Sequence, residues 1–347
     1  MKAYFFTFLM LFLLSSCNKE SYNKDAHFYG SKNVHYSESG SNLILKSGKF
    51  QYKIPKNKLP FKKVILLNAS LIGYFTELNA ENVIVGVSSP QYIHSEKILQ
   101  FVKSQAIQNI GNEQKYNVEK ILAHQPDAIF TNYVAAFENT YEILRKNKIE
   151  VIFIDEYLEE NPLEKTKIIE VFGKLLGKEK EAKQKFTEIE KNYNLYKNLA
   201  QKSPKKPMVL SNEIYGNQWF VAGGNSSLAH FIKDANANYI FGDNNESKST
   251  PKTFEEVFAK AENADVWVNV GNHKQKKELL QINPNYAKMK VYQKGNIYTL
   301  SGREKGNAND YFESGVVRAD LVLKDYIKVF HPNIFSKDSL FYIKKLK

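Results

Sequence analysis

Two stretches in which short apolar runs alternate with amphipathic segments, residues 62–154 and 208–300, flank one unbroken helical pattern from 179 to 200. In the first stretch, Val64–Leu67, Val83–Val87, Asp127–Phe130 and Val151–Ile154 read as strands. Between them, Ser70–Leu78, a segment from Val118 to about His124, and Phe137–Asn147 read as helices. Continuous apolar strands separated by helices predict a mostly parallel sheet buried on both faces. Ile168, Val171, Phe172 and Leu175 share a helical face that Gly177 ends, and the next helix carries the stripe Phe186, Ile189, Tyr193, Tyr196 and Leu199. At about 1.5 Å per residue, a helix over 179–200 is roughly 33 Å long, a suitable strut between two lobes. Ser203-Pro204-Lys205-Lys206-Pro207 marks a boundary, after which the alternation resumes. It runs through Met208–Leu210, Ser227–Ala235, Phe254–Ala261, Val266–Val270, Asn296–Leu300 and a closing helix over Gly315–Phe330.

The chain begins with Lys2, an apolar run from Tyr4 to Leu14, and Ser15-Ser16 before Cys17, its only cysteine. These are the parts of a secretory signal, and the run is too short to span a bilayer. Leu14-Ser15-Ser16-Cys17 resembles a bacterial lipobox. The resemblance implies cleavage before Cys17 and attachment of diacylglyceryl to its sulfur. The expected organisation is a signal peptide (1–16), then lipidated Cys17, a flexible tether and a small hairpin (17–60), with the tether over 18–42. An N-terminal α/β lobe (61–177), a bridging helix (178–202), a C-terminal α/β lobe (203–335) and a tail (336–347) follow. No disulfide is available to the mature chain.

The net charge of +12 suggests nucleic acid, but of 49 basic residues only Arg145, Arg303 and Arg318 are arginines. Phosphate and base recognition lean on the guanidinium fork, and the lysines here are dispersed and interleaved with glutamates, as in Lys178-Glu179-Lys180-Glu181. A solvated surface is expected, with no nucleic-acid partner. The seven histidines (His27, His35, His94, His124, His230, His273 and His331) show no metal-ligand spacing. Gly-x-Ser-x-Gly, Walker and His-Glu-x-x-His motifs are absent, so no catalytic or metal site is assigned.

Several strings, in order, carry a resemblance: Leu67-Asn68-Ala69-Ser70; Glu81 to Val87; Asn117 to Asp127 with its His124-Gln125-Pro126-Asp127 ending; Gly223-Gly224-Asn225-Ser226; and Thr253 to Val257 ahead of Ala264-Asp265-Val266-Trp267. Over roughly residues 60–335 the chain resembles the solute-binding lipoproteins of ABC importers that handle iron–siderophore complexes, haem and vitamin B12. The resemblance implies two three-layer α/β lobes bridged by one long helix, a ligand in the cleft between them, and permease and ATPase partners. It further implies a monomer held at the membrane by its lipid, and one carboxylate per lobe for docking to permease arginines. Those positions match Glu119 and Glu255, although each also reads as a first-turn acid favoured by the helix dipole.

Ligands of open α/β sheets sit beyond the carboxyl ends of the strands. The loops there offer Tyr92, Tyr133, Tyr157 and Trp219, flat rings with a polar tip suited to a large planar or chelate ligand. Arg303 is a further ligand candidate, with a salt bridge to Glu304 or Asp310 as the alternative. Gly223 to Ser227 reads as a helix cap that also offers N–H groups to an anion. The expected ligand is a ferric siderophore, with cobalamin or haem next. A lipid-anchored enzyme or scaffold on the same fold is the competing class.

Overall fold

In the computed structural model, residues 28–112 and 115–347 are described. Cys17, the signal and residues 18–27 of the tether lie outside them. The first element of the described residues is a four-stranded antiparallel sheet of Tyr29–Gly30, Val34–Ser39, Asn42–Ser47 and Phe50–Pro55, in sequence order. Its inner face carries Val34, Tyr36, Leu43, Leu45, Tyr52 and Ile54, all buried. This corrects the tether, since Tyr29–Gly30 and Val34–Ser39 are strands. Val34-x-Tyr36 is a short alternation whose outward Ser37, Glu38 and Ser39 give the segment a linker-like composition.

The sheet abuts the first lobe, whose five parallel strands run in the order Glu150–Phe153, Ala128–Thr131, Val64–Leu66, Ile84–Val87, Gln108–Asn109. Val64–Leu66 and Ala128–Thr131 are buried throughout, because helices cover both faces. Helix Pro162–Leu176 has Asn161 as its cap and Pro162 at its first position. It stops at Gly177, whose φ of 68° is left-handed. The following helix, Glu179–Ala200, has the limits expected from the sequence. Its Ala182 and Ile189 belong to the apolar core of the first lobe, and its Tyr193 and Ala200 to a core of the second. One rigid element is thus anchored in both lobes.

The second lobe repeats the plan. Asn238–Tyr239, Met208–Ser211, Val266–Val270 and Ile297–Thr299 are parallel, and Lys344–Lys345 adds an antiparallel edge. The expected C-terminal tail is therefore part of the sheet. The buried Asp325 carboxylate accepts N–H bonds from Phe341, Tyr342 and Ile343, and Tyr342, Ile343 and Leu346 are buried. The closing helix spans Ala319–Phe330, with a separate 3-10 turn over Ser314–Val316. Among the described residues, no helix is long and apolar enough to cross a membrane.

Candidate functional site

The carboxyl ends of the two sheets meet across a seam. Beyond Val87, the backbone N–H groups of His94 and Ser95 donate to Glu313 at 2.6 and 3.0 Å, and Glu96 pairs with Lys305 at 2.7 Å. Elsewhere along the seam Asn225 Nδ2 donates to Glu160 at 2.8 Å, and Ser247 also bonds that carboxylate. Glu313 is buried. Desolvation and the nearby Asp310 charge push its carboxyl up to about 7, against the pull of the two N–H donors.

In each sheet the chain reverses its direction of strand addition next to the first strand laid down, which is where open α/β sheets bind ligands. In the first lobe that point lies between Val64–Leu66 and Ala128–Thr131. Asn68 and Asn132, which follow those strands, bond each other there. Ser70 Oγ and Asn132 Nδ2 each donate to Glu156 at 2.6 Å. Glu156 is buried, and desolvation raises its pKa against those two hydrogen bonds. In the second lobe the point lies between Met208–Ser211 and Val266–Val270. A hollow of about 390 Å³ opens there, lined by Asn212, Asn269, Asn272, Asn309, Thr299, Ser301, Tyr311 and Phe312 among others. Both halves are rich in amides. The hollow itself contains no charged side chain.

The residues expected to hold ligand separate. Tyr92 and Tyr157 are 42% and 58% exposed on first-lobe loops past the strand ends. Tyr133 is half-buried, its ring packed on Phe50 and Phe153 at 5.0 and 5.1 Å between centroids. Trp219 is 0% exposed. It stacks on Trp267 at 5.5 Å and donates from Nε1 to the Ser211 carbonyl at 2.9 Å. It is a core residue, and this corrects its assignment to the ligand. Its strand alternates outward Gln218 and Phe220 with inward Trp219 and Val221, a period the loop reading overlooked. Arg303 also departs from the expectation. Its Nε donates to Asp310 at 2.5 Å, and its guanidinium lies 4.5 Å from the Phe341 ring centroid. It lines a second cavity of about 320 Å³ in the seam, with His94, Glu313 and Arg318, rather than the amide hollow. The salt-bridge alternative describes it.

Ser226 caps helix Ser227–Asp234 through a 3.3 Å bond from the Ala229 N–H. Gly223 is fixed by close approach, because a Cβ there would lie 2.0 Å from the Glu246 carbonyl oxygen. The sequence reading missed Asn212 and Phe312. Asn212 directly follows a strand, so the strand-end rule reaches it. Phe312, 58% exposed at the hollow, carries no local signal, because it arrives on a strap far beyond its strand. Among the described residues no three His, Cys, Asp or Glu side chains form a metal site.

Glu119 and Glu255 occupy matching places. Each is exposed at the second position of a helix capped by the preceding loop, by Asn117 and Thr253 respectively. Each helix leads to an aspartate that ties down a strand start: Asp127 accepts the N–H groups of Lys62 and Lys63, and Asp265 that of Met208. Neither glutamate makes an ion pair among the described residues.

A family model described as periplasmic binding protein matches residues 64–304. The chain belongs to this family. Members of the periplasmic binding protein family serve ABC transporters as solute-binding components and are not enzymes. This periplasmic binding protein is 26% identical to uncharacterized lipoprotein MJ0878 of Methanocaldococcus jannaschii over 298 residues, covering 82% of this chain and 69% of the relative. Its fold matches a possible iron-binding periplasmic solute-binding protein of Staphylococcus epidermidis (TM-score 0.62, 19% identity, 78% of this chain and 99% of that one). It also matches a periplasmic heme-binding protein of Pseudomonas aeruginosa (TM-score 0.63, 18% identity, 83% and 98%). The two α/β lobes on one helical bridge are the fold expected from the sequence.

Proposed function

We propose that this periplasmic binding protein is held at the membrane by lipid on Cys17, captures a metal chelate of the ferric-siderophore class between its lobes, and delivers it to an ABC permease. The observation that carries the reading is an amide-rich switch point at the carboxyl end of each sheet, with the exposed rings of Tyr92 and Tyr157 on first-lobe loops past the strand ends and that of Phe312 at the second-lobe hollow. Amides and hydroxyls suit the peripheral oxygens of a chelate, and the rings suit its flat apolar faces. The helix anchored in both cores favours small closure, so the site is largely preformed. Cobalamin and haem are the other ligands this cleft suits. The iron- and heme-binding descriptions of the structural relatives agree with this ligand class.

The test is a titration of the purified full chain with iron(III) siderophores, haemin and cyanocobalamin, read by absorbance and thermal melting. A ligand at 100 times its Kd stabilises by about 2.7 kcal/mol, which for lobes of this size is a rise of roughly 5–10 °C. Flat melting curves and unchanged spectra with every probe would sink the proposal. For the anchor, the parent protein grown with labelled fatty acid is expected to take up the label, and Cys17→Ala is expected to lose it. A parent protein that takes up no label, or a Cys17→Ala variant that still does, refutes lipid attachment at Cys17. The lipoprotein description of the archaeal relative supports this expectation.

A further inference from the structure

The N-terminal sheet, residues 29–55, lies outside the family segment 64–304, yet it is fastened at the carboxyl end of the first lobe's edge strand. The Phe153 N–H donates to the Tyr52 hydroxyl at 2.8 Å, and the Asp155 N–H to Ser47 Oγ at 3.0 Å. These bonds cover the exposed edge of Glu150–Phe153, which would otherwise invite pairing with another chain. They also carry the hairpin tip Gly48-Lys49 to the carboxyl end of the first lobe's sheet, beside Asp155 and Leu158. Gly48 makes the approach possible. Its φ of +55° is left-handed, and a Cβ would lie 2.9 Å from Leu158 Cδ1 and 3.7 Å from Asp155 Oδ2.

At the tip, Lys49 Nζ stands 4.6 Å from the centroid of the Tyr133 ring and 5.1 Å from that of Phe50. Tyr133 is positioned in turn by its own backbone N–H, which donates to Asp155 Oδ1 at 3.1 Å. The rings orient the ammonium through their quadrupoles without cancelling its charge. Lys49 is exposed; its ammonium attracts the buried Asp155 carboxylate at longer range but makes no ion pair within 4.0 Å among the described residues. The arginines are committed elsewhere: Arg145 to Glu138, Arg303 to Asp310, and Arg318 to Asp320.

We propose that the tip of the N-terminal sheet is part of the ligand site, with Lys49 as the cation that recognises an anionic group (carboxylate, catecholate or phenolate) on the chelate. This rests on the chelate-binding reading above. Tyr133 then acts as the platform that sets the ammonium in place before ligand arrives, which limits the ordering cost of binding. The ligand's chelated core faces the neutral amides of the second-lobe hollow, and its charged edge faces Lys49.

The experiment compares the full chain with Lys49→Ala, Lys49→Glu and Lys49→Arg, each titrated with a triply anionic iron(III) tris-catecholate, with haemin, and with a neutral iron(III) tris-hydroxamate. The tip is exposed, so the melting temperatures of the unliganded variants should match within a few degrees. Losing one charge-assisted contact is expected to weaken the anionic probes roughly tenfold in Lys49→Ala, and further in Lys49→Glu. Lys49→Arg should stay close to the parent, and the neutral probe should be unaffected. The salt dependence of anionic binding should also flatten in Lys49→Ala. Anionic affinity unchanged in Lys49→Ala and Lys49→Glu overturns the role of Lys49 while leaving chelate binding intact, as does a parent protein that takes only the neutral probe. A parent protein that binds none of the probes overturns both.

Discussion

Reversing the charge at Glu119 and Glu255 together is expected to abolish uptake while leaving ligand affinity within about twofold of the parent. Both carboxylates project into solvent from the first turn of a capped helix, one on each lobe, without an ion pair among the described residues. Nothing in the fold depends on them beyond the helix dipole, worth about 0.3–1 kcal/mol each. The variant should therefore fold and bind. Docking is another matter. A carboxylate facing a permease arginine at about 4 Å gains on the order of 4 kcal/mol near a protein surface, and a lysine in its place turns that attraction into a repulsion of similar size. Two such contacts, one per lobe, fix both orientation and register. A single reversal leaves one of them and should lower uptake by roughly tenfold rather than remove it. The decisive measurement is accumulation of the labelled chelate in cells carrying the double variant, alongside its binding curve in vitro. Normal uptake would remove both glutamates from the docking surface. Lost binding together with lost uptake would place them in the ligand site or the core instead.

Much of this architecture was legible from burial alone. Strands of a parallel sheet are apolar on both faces, so Val64–Leu66 and Val266–Val270 stand out without alignment. The helix Glu179–Ala200 was readable because Gly177 closes the element before it and its apolar stripe runs unbroken. The features that escaped share a cause: tertiary contacts decide them. Tyr342 and Ile343 lie next to a run of lysines, and contacts distant in sequence, among them the Asp325 carboxylate seventeen and eighteen positions upstream, draw them into the second lobe. Residues 34–39 look like linker until Leu43 and Ile54 supply a partner face. Arg303 follows a strand, as a ligand residue would, but Asp310 lies within its reach and claims it. The strand-end rule located the cleft loops, and side-chain direction within those loops was beyond it.

Trp219 makes the point in energetic terms. Trp219→Ala is expected to destabilise the second lobe by about 3–5 kcal/mol, the usual cost of removing a large buried ring. At roughly 2–4 °C per kcal/mol, that lowers melting by about 6–20 °C. The ring fills space between Trp267 and Tyr286, at centroid distances of 5.5 and 5.7 Å, inside an apolar core of the second lobe. Its N–H also satisfies the carbonyl of Ser211, the last residue of a central strand. Trp219→Phe keeps most of the apolar contact but strands that carbonyl, so a smaller loss of about 1–3 kcal/mol is expected. A ligand-facing tryptophan would behave in the opposite way, with weaker binding and an unchanged melting curve. The two readings therefore diverge on a single pair of measurements, the melting of unliganded Trp219→Ala and its Kd in the temperature range where it remains folded. A normal melting temperature with a weakened Kd would return Trp219 to the cleft. A large drop in melting with a Kd near that of the parent identifies it as the centre of the second-lobe core, which holds the strand ends on which Asn212 and Asn272 line the hollow.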